Sequence, residues 1–211
     1  MATRSRTLAL LALGLLAAGC VNPFRPATPD RPSGTSVFED FSTPEQVLAT
    51  IKLAIAAGTD GSDAYIHAFA DSSVAGQIAY RAFYDPDVKT SYEQSGHTAP
   101  EPWNRQLEQL LFTYVIGLRP TFDYQMAWED DLTSPSDDVS ADTVQFHRHY
   151  KVVASTASGS TVETIAAGFA DLSMFKSGGR WAISRWNDRV DPDAGAQNSM
   201  SQRRLESQTN R

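Results

Sequence analysis

The sequence predicts an α+β domain in which N-terminal helices pack on one face of a curved antiparallel sheet. Two changes of pattern along the chain support this prediction. Apolar residues recur every three or four positions between Ser42 and Ile116, as in amphipathic helices, and then at every second position from Phe122 to Trp186, as in strands. Helices grouped ahead of strands favour α+β over alternating α/β architecture. The 211 residues leave room for one such domain, which we assign to residues 42–190.

The first helix is predicted to start at Ser42-Thr43-Pro44-Glu45, where a hydroxyl residue precedes proline in the first turn. Its apolar face consists of Val47, Leu48, Ile51 and Ile55, and the helix is predicted to run to about Ala57. Gly58 supplies the stop. A second short helix is predicted from Ser62 to Ala70.

A strand is then predicted from Gln77 to Tyr84, ending at Asp85-Pro86-Asp87. After a polar connection, Pro102 is predicted to open a helix that runs through Ile116. Its apolar stripe is predicted to consist of Trp103, Leu107, Leu110 and Tyr114.

Four successive antiparallel strands are predicted next, with turn residues between them. They are represented by Phe122 to Trp128, Val144 to Val152, Val162 to Met174 and Trp181 to Trp186. In the last strand, simple alternation places Trp181 and Ile183 on one face and Trp186 with Asp188 on the other. Residues 191–211 have no apolar periodicity and are predicted to form a disordered polar tail that folding does not require.

Residues 1–19 predict a lipoprotein signal peptide. Arg4 and Arg6 precede an apolar run that is shorter than the roughly 20 residues of a membrane-spanning helix. The segment Leu16-Ala17-Ala18-Gly19-Cys20 resembles the lipobox of bacterial lipoproteins, which implies cleavage before Cys20 and acylation of this cysteine. An ordinary cleaved signal is the alternative. Lipidation is favoured because Cys20 is the only cysteine and has no disulfide partner.

Residues 20–41 are predicted to be the lipidated cysteine and a proline-rich tether. Four prolines, at positions 23, 26, 29 and 32, favour an extended chain. Stable anchoring takes about two acyl chains, which the resemblance to bacterial lipoproteins supplies. Val21 stands where, by resemblance to the sorting rule of enteric bacteria, inner-membrane lipoproteins carry Asp. The predicted location is the bacterial cell envelope, and the outer membrane facing the periplasm is favoured over the inner membrane.

The net charge of −7 falls to about −9 once the signal peptide is removed. This charge argues against nucleic acid or anionic lipid as the principal partner. The predicted partners are the membrane, through the lipid anchor, and an envelope protein or a small apolar ligand. The sequence contains no glycine-rich phosphate loop, zinc-protease helix or nucleophile elbow, and no cofactor is predicted.

Three segments resemble exported members of the nuclear transport factor two-like superfamily, which includes ketosteroid isomerase and SnoaL-like proteins. They are Thr43 to Leu48, Pro100 to Trp103 and Gly179 to Asp188, and the order of elements agrees with them. The resemblance extends from about Ser42 to Asp188. It implies a conical fold in which sheet and helices can enclose a pocket. Members include enzymes, ligand binders and interaction domains, so the resemblance does not select a function.

Five residues are candidates for binding a ligand in such a pocket: Tyr65, His67, Tyr124, Arg148 and Trp186. His67 with Tyr65 could serve acid-base chemistry, or could be a half-buried surface histidine. The acid and tyrosine roles of ketosteroid isomerase do not align with this chain residue by residue. No catalytic residue is therefore named.

Arg148 is a candidate because it falls in the alternation of the apolar residues Val144, Phe146, Tyr150 and Val152. An arginine that points inward needs a carboxylate or an anionic ligand. Asp123 and Asp188 are conceivable partners. The alternative is a β-bulge that turns Arg148 outward.

Metal binding is considered at two places and is not favoured at either. His147 and His149 share one strand face with Lys151, which disfavours a cation, so they are interpreted as a solvent-facing pair. The acidic run from Glu129 to Asp142 lacks the fixed spacing of a calcium loop and is interpreted as a solvated hairpin loop.

The sequence therefore favours a membrane-anchored envelope lipoprotein with a non-catalytic binding or interaction domain. The alternative is a small pocket enzyme, of isomerase, dehydratase or hydrolase type, that acts on an apolar small molecule.

Overall fold

The structure, a computed structural model, describes residues 37–209. The predicted signal peptide, Cys20 and most of the predicted tether lie outside the described residues. Within residues 37–209, no helix has both the length and the apolar character needed to cross a membrane.

The described chain begins with helices and most of its strands follow them, but one short strand lies among the helices and one helix follows the last strand. The helices are α1 (Pro44–Ala56), α2 (Ser62–His67), α3 (Pro86–Gln94), α4 (Arg105–Gly117) and α5 (Met200–Thr209), with short 3-10 turns at Gly58–Gly61 and Ala196–Asn198. The strands are β1 (Arg81–Phe83), β2 (Asp123–Asp130), β3 (Asp138–Val139), β4 (Thr143–Ser155), β5 (Val162–Ser177) and β6 (Arg180–Val190).

The sheet has the order β1-β6-β5-β4-β2, and the short β3 also pairs with β4. Strands β2, β4, β5 and β6 form the predicted antiparallel meander, whereas β1 runs parallel to β6 at the edge. Register shifts occur between Val152 and Val153 on β4 and between Ser173 and Met174 on β5. Such irregularities bend a sheet and increase its twist. The fold class, α+β with a curved antiparallel sheet and helices on one face, is confirmed.

Helix α1 starts as predicted and covers the sheet. The Thr43 hydroxyl accepts a hydrogen bond from the Gln46 amide at 3.2 Å, and Pro44 occupies the first turn. Val47 and Ile51 are fully buried, and the helix packs against β2 and β6. Phe41, ahead of the predicted domain boundary, is also buried, and its carbonyl accepts from the Trp181 amide at 2.9 Å. The folded domain therefore starts before Ser42.

The region between α2 and α4 differs from the prediction. The strand is confined to the three residues of β1, and Asp85-Pro86-Asp87, predicted only as the end of a strand, starts a helix. The Asp85 carboxylate accepts from the amides of Asp87 and Val88, at 3.0 and 3.3 Å, and so caps α3. The helix start was missed because aspartate followed by proline is equally typical of turns and of helix starts.

The predicted apolar stripe of α4 is correct at Trp103, which lies just ahead of the helix and is buried, and wrong at Leu110. Leu110 is exposed, and Leu107 and Tyr114 are only partly buried. The buried face consists of Glu108, Leu111, Phe112, Val115 and Ile116. Because Glu108 occupies one of these buried positions, the buried face does not show up as a regular apolar pattern in the sequence.

Strand β6 contains an irregularity that changes the orientation of its second half. Ile183 pairs with Met174 and Trp186 pairs with Leu172, so one extra residue of β6 lies between these pairs. Met174 and Leu172 are two residues apart and share a face, and their partners share it too. Trp181, Ile183, Trp186 and Asp188 therefore all point to the helix-covered, inner face, and the prediction of opposite faces is wrong.

The predicted disordered tail is also wrong for residues 191–209. The chain turns back after β6 and forms α5, which packs against α3, α4 and the sheet. The buried residues of α5 are Met200, Ser201, Arg204, Leu205 and Ser207. Only two of these five are apolar, which explains why apolar periodicity did not reveal the helix.

Candidate functional site

Seven buried side chains meet between the inner face of the sheet and the helices, and we call them the interior cluster. They are Tyr65, Trp103, Glu108, Tyr150, Trp186, Asp188 and Arg204, and none is more than 3% exposed. Helices α2, α4 and α5, strands β4 and β6, and the residue before the Asn104 cap of α4 supply them. Two carboxylates and one guanidinium are thus removed from water in one place.

Glu108 accepts hydrogen bonds on both carboxylate oxygens. Trp103 Nε1 donates to one oxygen at 2.6 Å, and the Tyr65 hydroxyl donates to the other at 3.0 Å. Arg204 adds a bond to each oxygen at 3.2 Å, from Nε and from Nη2. A buried ion pair is tolerated only when the remaining lone pairs are satisfied, and Glu108 meets this condition.

Asp188 and Tyr150 hold the N-terminus of α5. The Tyr150 hydroxyl donates to one Asp188 oxygen at 2.7 Å and accepts from the Met200 amide at 2.8 Å. The other Asp188 oxygen accepts from the Ser201 amide. The first amides of a helix have no partner within the helix and carry partial positive charge, so a carboxylate stabilises them.

A glycine in β5 makes room for this contact. Gly168 lies opposite Tyr150 in the sheet, and a Cβ at this position would lie 2.5 Å from the Tyr150 hydroxyl oxygen. Any larger residue would displace the tyrosine. Gly168 therefore leaves the space on the inner face of β5 that the Tyr150 hydroxyl occupies.

Arg204 joins the Glu108 carboxylate to the Trp186 ring. Its guanidinium carbon lies 5.0 Å from the centre of the Trp186 ring, within the range of a cation-π contact. Burial opposes the charge, but Glu108 and Asp188 outweigh it and raise the pKa of Arg204 well above its usual value. Arg204 is therefore a buried cation, and it fixes α5 to α4.

Neither tyrosine of the cluster is poised to exchange a proton near neutral pH. Burial, followed by the charge of Glu108, raises the pKa of Tyr65 well above its usual value. Burial and the neighbouring Asp188 do the same to the pKa of Tyr150. Burial also raises the pKa of Asp188, although Arg204 and the bonds from Ser201 and Tyr150 act against the shift. Efficient acid-base groups have pKa values near the working pH, so these phenols are suited to donating hydrogen bonds.

Of the five candidate residues, the structure brings Tyr65 and Trp186 together in the interior cluster. His67 lies outside it, with a side chain 47% exposed and its Nδ1 3.0 Å from a Glu39 oxygen. Tyr124 is buried, and its hydroxyl contacts the carbonyls of Val115 and Ile116 at 2.9 and 3.0 Å. Tyr124 therefore joins β2 to the end of α4.

Arg148 occupies the inner-face register, opposite Ala170. Its guanidinium binds both oxygens of Asp137, at 2.9 and 2.6 Å, and lies 3.3 Å from Asp130. The expected partners, Asp123 and Asp188, are wrong. A bulge that turns Arg148 outward is also wrong, because the register shift of β4 lies further along, at Val152.

The acidic segment between β2 and β4 is tied to the sheet. Asp131 is buried and accepts from Thr133, Ser134 and Arg189, with the Arg189 bond at 2.7 Å. Burial alone would raise the pKa of Asp131, but these hydrogen bonds lower it well below the usual value. The interpretation of this segment as simply a solvated loop is wrong at Asp131.

The histidine pair of β4 lies on the outer face, and each ring contacts its own carboxylate. His147 Nδ1 lies 2.7 Å from Asp171, and His149 Nε2 lies 3.0 Å from Asp191. Their side chains are only 12% and 24% exposed, so they are less open to solvent than expected. Among residues 37–209, no group of three or more His, Cys, Asp or Glu side chains is arranged to hold a metal ion.

Two pockets are lined by residues outside the interior cluster, and the smaller one reaches Tyr80, a buried neighbour of Glu108 and Arg204. One, of about 220 Å³, is lined mainly by the segments 70–72, 79–80 and 104–106. The other, of about 370 Å³, is lined by residues 39–42 with Gly179 and Arg180. Neither pocket includes a member of the interior cluster.

Sequence reasoning missed Glu108 and Arg204, the charged centre of the site. Glu108 interrupts the apolar segment Leu107 to Phe112, and Arg204 precedes Leu205 in a polar helix. For Glu108 the available signal was a charge within an apolar helical pattern, because such a charge needs a partner. Arg204 follows Arg203 in a polar helix and gave no such signal.

Comparisons with known proteins give similarity of fold at low sequence identity. No family model matches the chain, and no curated protein matches it significantly. A variant of Rv3472, a function-unknown protein from Mycobacterium tuberculosis, is 12% identical with a TM-score of 0.49, and the match covers 79% of this chain and 92% of that one. A candidate dehydratase of the NTF2-like family from Streptomyces avermitilis is 9% identical with a TM-score of 0.46, covering 69% and 93%. A candidate scytalone dehydratase from Novosphingobium aromaticivorans is 13% identical with a TM-score of 0.46, covering 70% and 80%.

Proposed function

We propose that this protein is a membrane-anchored lipoprotein of the bacterial envelope whose domain has a binding or interaction role and no catalytic one. The observation that carries the proposal is the filling of the domain interior by α5. Arg204 occupies the space between Glu108 and the Trp186 ring, and both groups are fully buried. This is the space between sheet and helices that the resemblance to the nuclear transport factor two-like superfamily implies for a pocket.

The buried polar groups are already committed to one another. Glu108 is engaged by Trp103, Tyr65 and Arg204, and Asp188 is engaged by Tyr150 and the first turn of α5. A pocket enzyme, the alternative function, would need α5 to leave before these groups could reach a substrate. The hydrogen-bonding groups of the interior cluster are already paired, and the pKa values of the Tyr65 and Tyr150 phenols are raised well above the usual value. Both observations favour a structural role for these side chains.

Anchoring is proposed from the sequence. Cys20 ends an apolar run at the position of a lipobox cysteine, and no other cysteine occurs in the chain. The acidic composition gives the domain no electrostatic attraction to anionic lipid, so attachment depends on the acyl chains. Residues 21–36 are long enough to span up to about 50 Å when extended, which would let the domain reach a partner away from the bilayer.

The test of the non-catalytic role is whether the interior is closed in solution. The full chain, purified in detergent, is examined by native mass spectrometry and by binding of the apolar dye ANS. We expect the mass of the lipidated chain alone, and no more dye binding than a detergent blank gives. A small molecule that the purified protein converts chemically, with the conversion lost on substitution of Trp186, would contradict the proposal.

A further inference from the structure

The smaller of the two pockets lies at the N-terminus of α4. Its wall includes the cap residue Asn104 and the first two residues of the helix, Arg105 and Gln106. Asn104 accepts from the Leu107 amide through its side chain and from the Glu108 amide through its carbonyl, at 3.0 Å in both cases. The amides of Arg105 and Gln106 precede these two, have no partner within the helix and carry partial positive charge. Such amides form a binding position for a carboxylate.

A guanidinium held by the protein lines the same pocket. Arg105 donates from Nη1 to Asp71 at 2.9 Å and from Nε to the Ile66 carbonyl at 3.1 Å. Hydrogen bonds from the Ser73 amide and hydroxyl lower the pKa of Asp71, so this carboxylate stays ionised and holds Arg105 in place. The described residues give Nη2 of Arg105 no acceptor. This nitrogen therefore remains available to an anionic ligand.

The pocket also reaches a buried hydroxyl that lacks a partner. Tyr80 lines the pocket and is only 1% exposed, and its hydroxyl forms no hydrogen bond with the described residues. Its ring packs against Phe69, with 4.6 Å between the ring centres. Burial, and after it the charge of Glu108, raises the pKa of Tyr80 well above its usual value, so the phenol keeps its proton. A buried donor without an acceptor is costly, and a ligand that supplies the acceptor gains affinity.

The volume of the pocket limits the size of the ligand. The pocket measures about 220 Å³, and the small side chains of Ala70 and Ala79 form part of its wall. Because a water molecule takes about 30 Å³ of the liquid, this volume holds a molecule of roughly seven to nine non-hydrogen atoms. A carboxylate on a short or ring-shaped carbon body has this size.

We propose that the pocket binds a small organic carboxylate, whose oxygens accept from the first amides of α4, from Arg105 and from Tyr80. This inference rests on the proposed binding role and names the class of ligand. No residue of the interior cluster lines the pocket, so α5 stays in place when the ligand binds.

The first experiment compares two probes of nearly the same shape. The full chain in detergent is titrated with benzoate and with the neutral benzamide by isothermal titration calorimetry, against a detergent blank. We expect saturable binding of benzoate with a dissociation constant of about 0.1–1 mM, as suits so small a ligand. Benzamide should bind at least about tenfold more weakly, because it lacks the charge. Equal binding of the two probes, or no binding of benzoate up to about ten times the upper value, would overturn the proposal.

Tyr80→Phe separates a hydroxyl that binds a ligand from one that supports the fold. The Tyr80 hydroxyl has no partner, so the urea midpoint should not fall, whereas the affinity for benzoate should fall about tenfold. Tyr124→Phe is the matched control. It removes a buried hydroxyl that contacts the carbonyls of Val115 and Ile116, so it should lower the urea midpoint and leave benzoate binding unchanged. Benzoate binding by Tyr80→Phe at the wild-type affinity would overturn the proposed site.

Arg105→Gln tests the guanidinium in the same titration. We expect a loss of affinity for benzoate of about tenfold or more, because a charged donor is removed from the pocket. Arg119→Gln is the control of equal charge, since Arg119 pairs with the exposed Glu163, and it should bind benzoate as wild type does. Equal losses in both variants would show that benzoate responds only to net charge, and would overturn the site. Failure of these tests would leave the non-catalytic role intact, because native mass spectrometry and the assay for chemical conversion test that role separately.

Discussion

Substitution of Glu108 and Arg204, singly and together, measures how strongly α5 is coupled to α4. Removing one partner of a buried ion pair costs about 3–5 kcal/mol, because the other charge stays buried. For Arg204→Met we expect a loss of about 3 kcal/mol, since Trp103 and Tyr65 still donate to the carboxylate. For Glu108→Gln we expect about 4 kcal/mol, since the guanidinium loses its buried counter-charge.

The double variant should lose less than the sum of the single losses. With both charges removed, no unpaired ion remains inside, and we expect a coupling energy of about 1–3 kcal/mol. Urea unfolding followed by tryptophan fluorescence gives the free energies, and an unchanged m-value would exclude a change in the extent of unfolding. The exposed pair of Arg119 and Glu163 serves as the control and should show a coupling of about 0–1 kcal/mol. Additive losses at Glu108 and Arg204, within about 0.5 kcal/mol, would refute the reasoning.

Four further outcomes are expected. Trp181→Ala and Trp186→Ala should each cost about 3–5 kcal/mol in urea unfolding, because both side chains are buried on the inner face; a much smaller loss for either would contradict the assigned face. Asp131 has a folded-state pKa below its usual 3.8, so its contribution is present above that pH and is lost as the pH falls through the folded-state value; the stability difference between wild type and Asp131→Asn should therefore shrink in acid, and a constant difference would contradict this. Deleting residues 200–211 should cost about 5 kcal/mol or more, from two buried apolar side chains and a broken ion pair; a melt like that of wild type would mean that α5 does not pack. Cys20→Ser should abolish labelling with palmitate and release the protein from membranes; continued membrane fractionation would contradict lipid anchoring.

The parts of the fold that the sequence predicted are those with local causes. Alternating side chains from Phe122 onward identify the meander because a strand exposes successive residues to opposite faces. The start of α1 was identified because the Thr43 cap and Pro44 act within one turn.

The parts that were missed depend on contacts between distant segments. Glu108 and Arg204 are 96 residues apart, and each looks like a surface residue until the other is placed beside it. The extra residue in β6, between Ile183 and Trp186, changes which side Trp186 faces, and only the pairing with β5 reveals it. A period-two pattern cannot detect such a shift, because a slip of one residue reverses every later side chain.

The central claim is that α5 occupies the interior of the domain, and amide hydrogen exchange of the full chain tests it most directly. The Met200 and Ser201 amides donate to the Tyr150 hydroxyl and to Asp188, so we expect both to exchange far more slowly than an unstructured peptide, and to lose this protection in Glu108→Gln. Exchange of both amides at the rate of an unstructured peptide in wild type would contradict the claim.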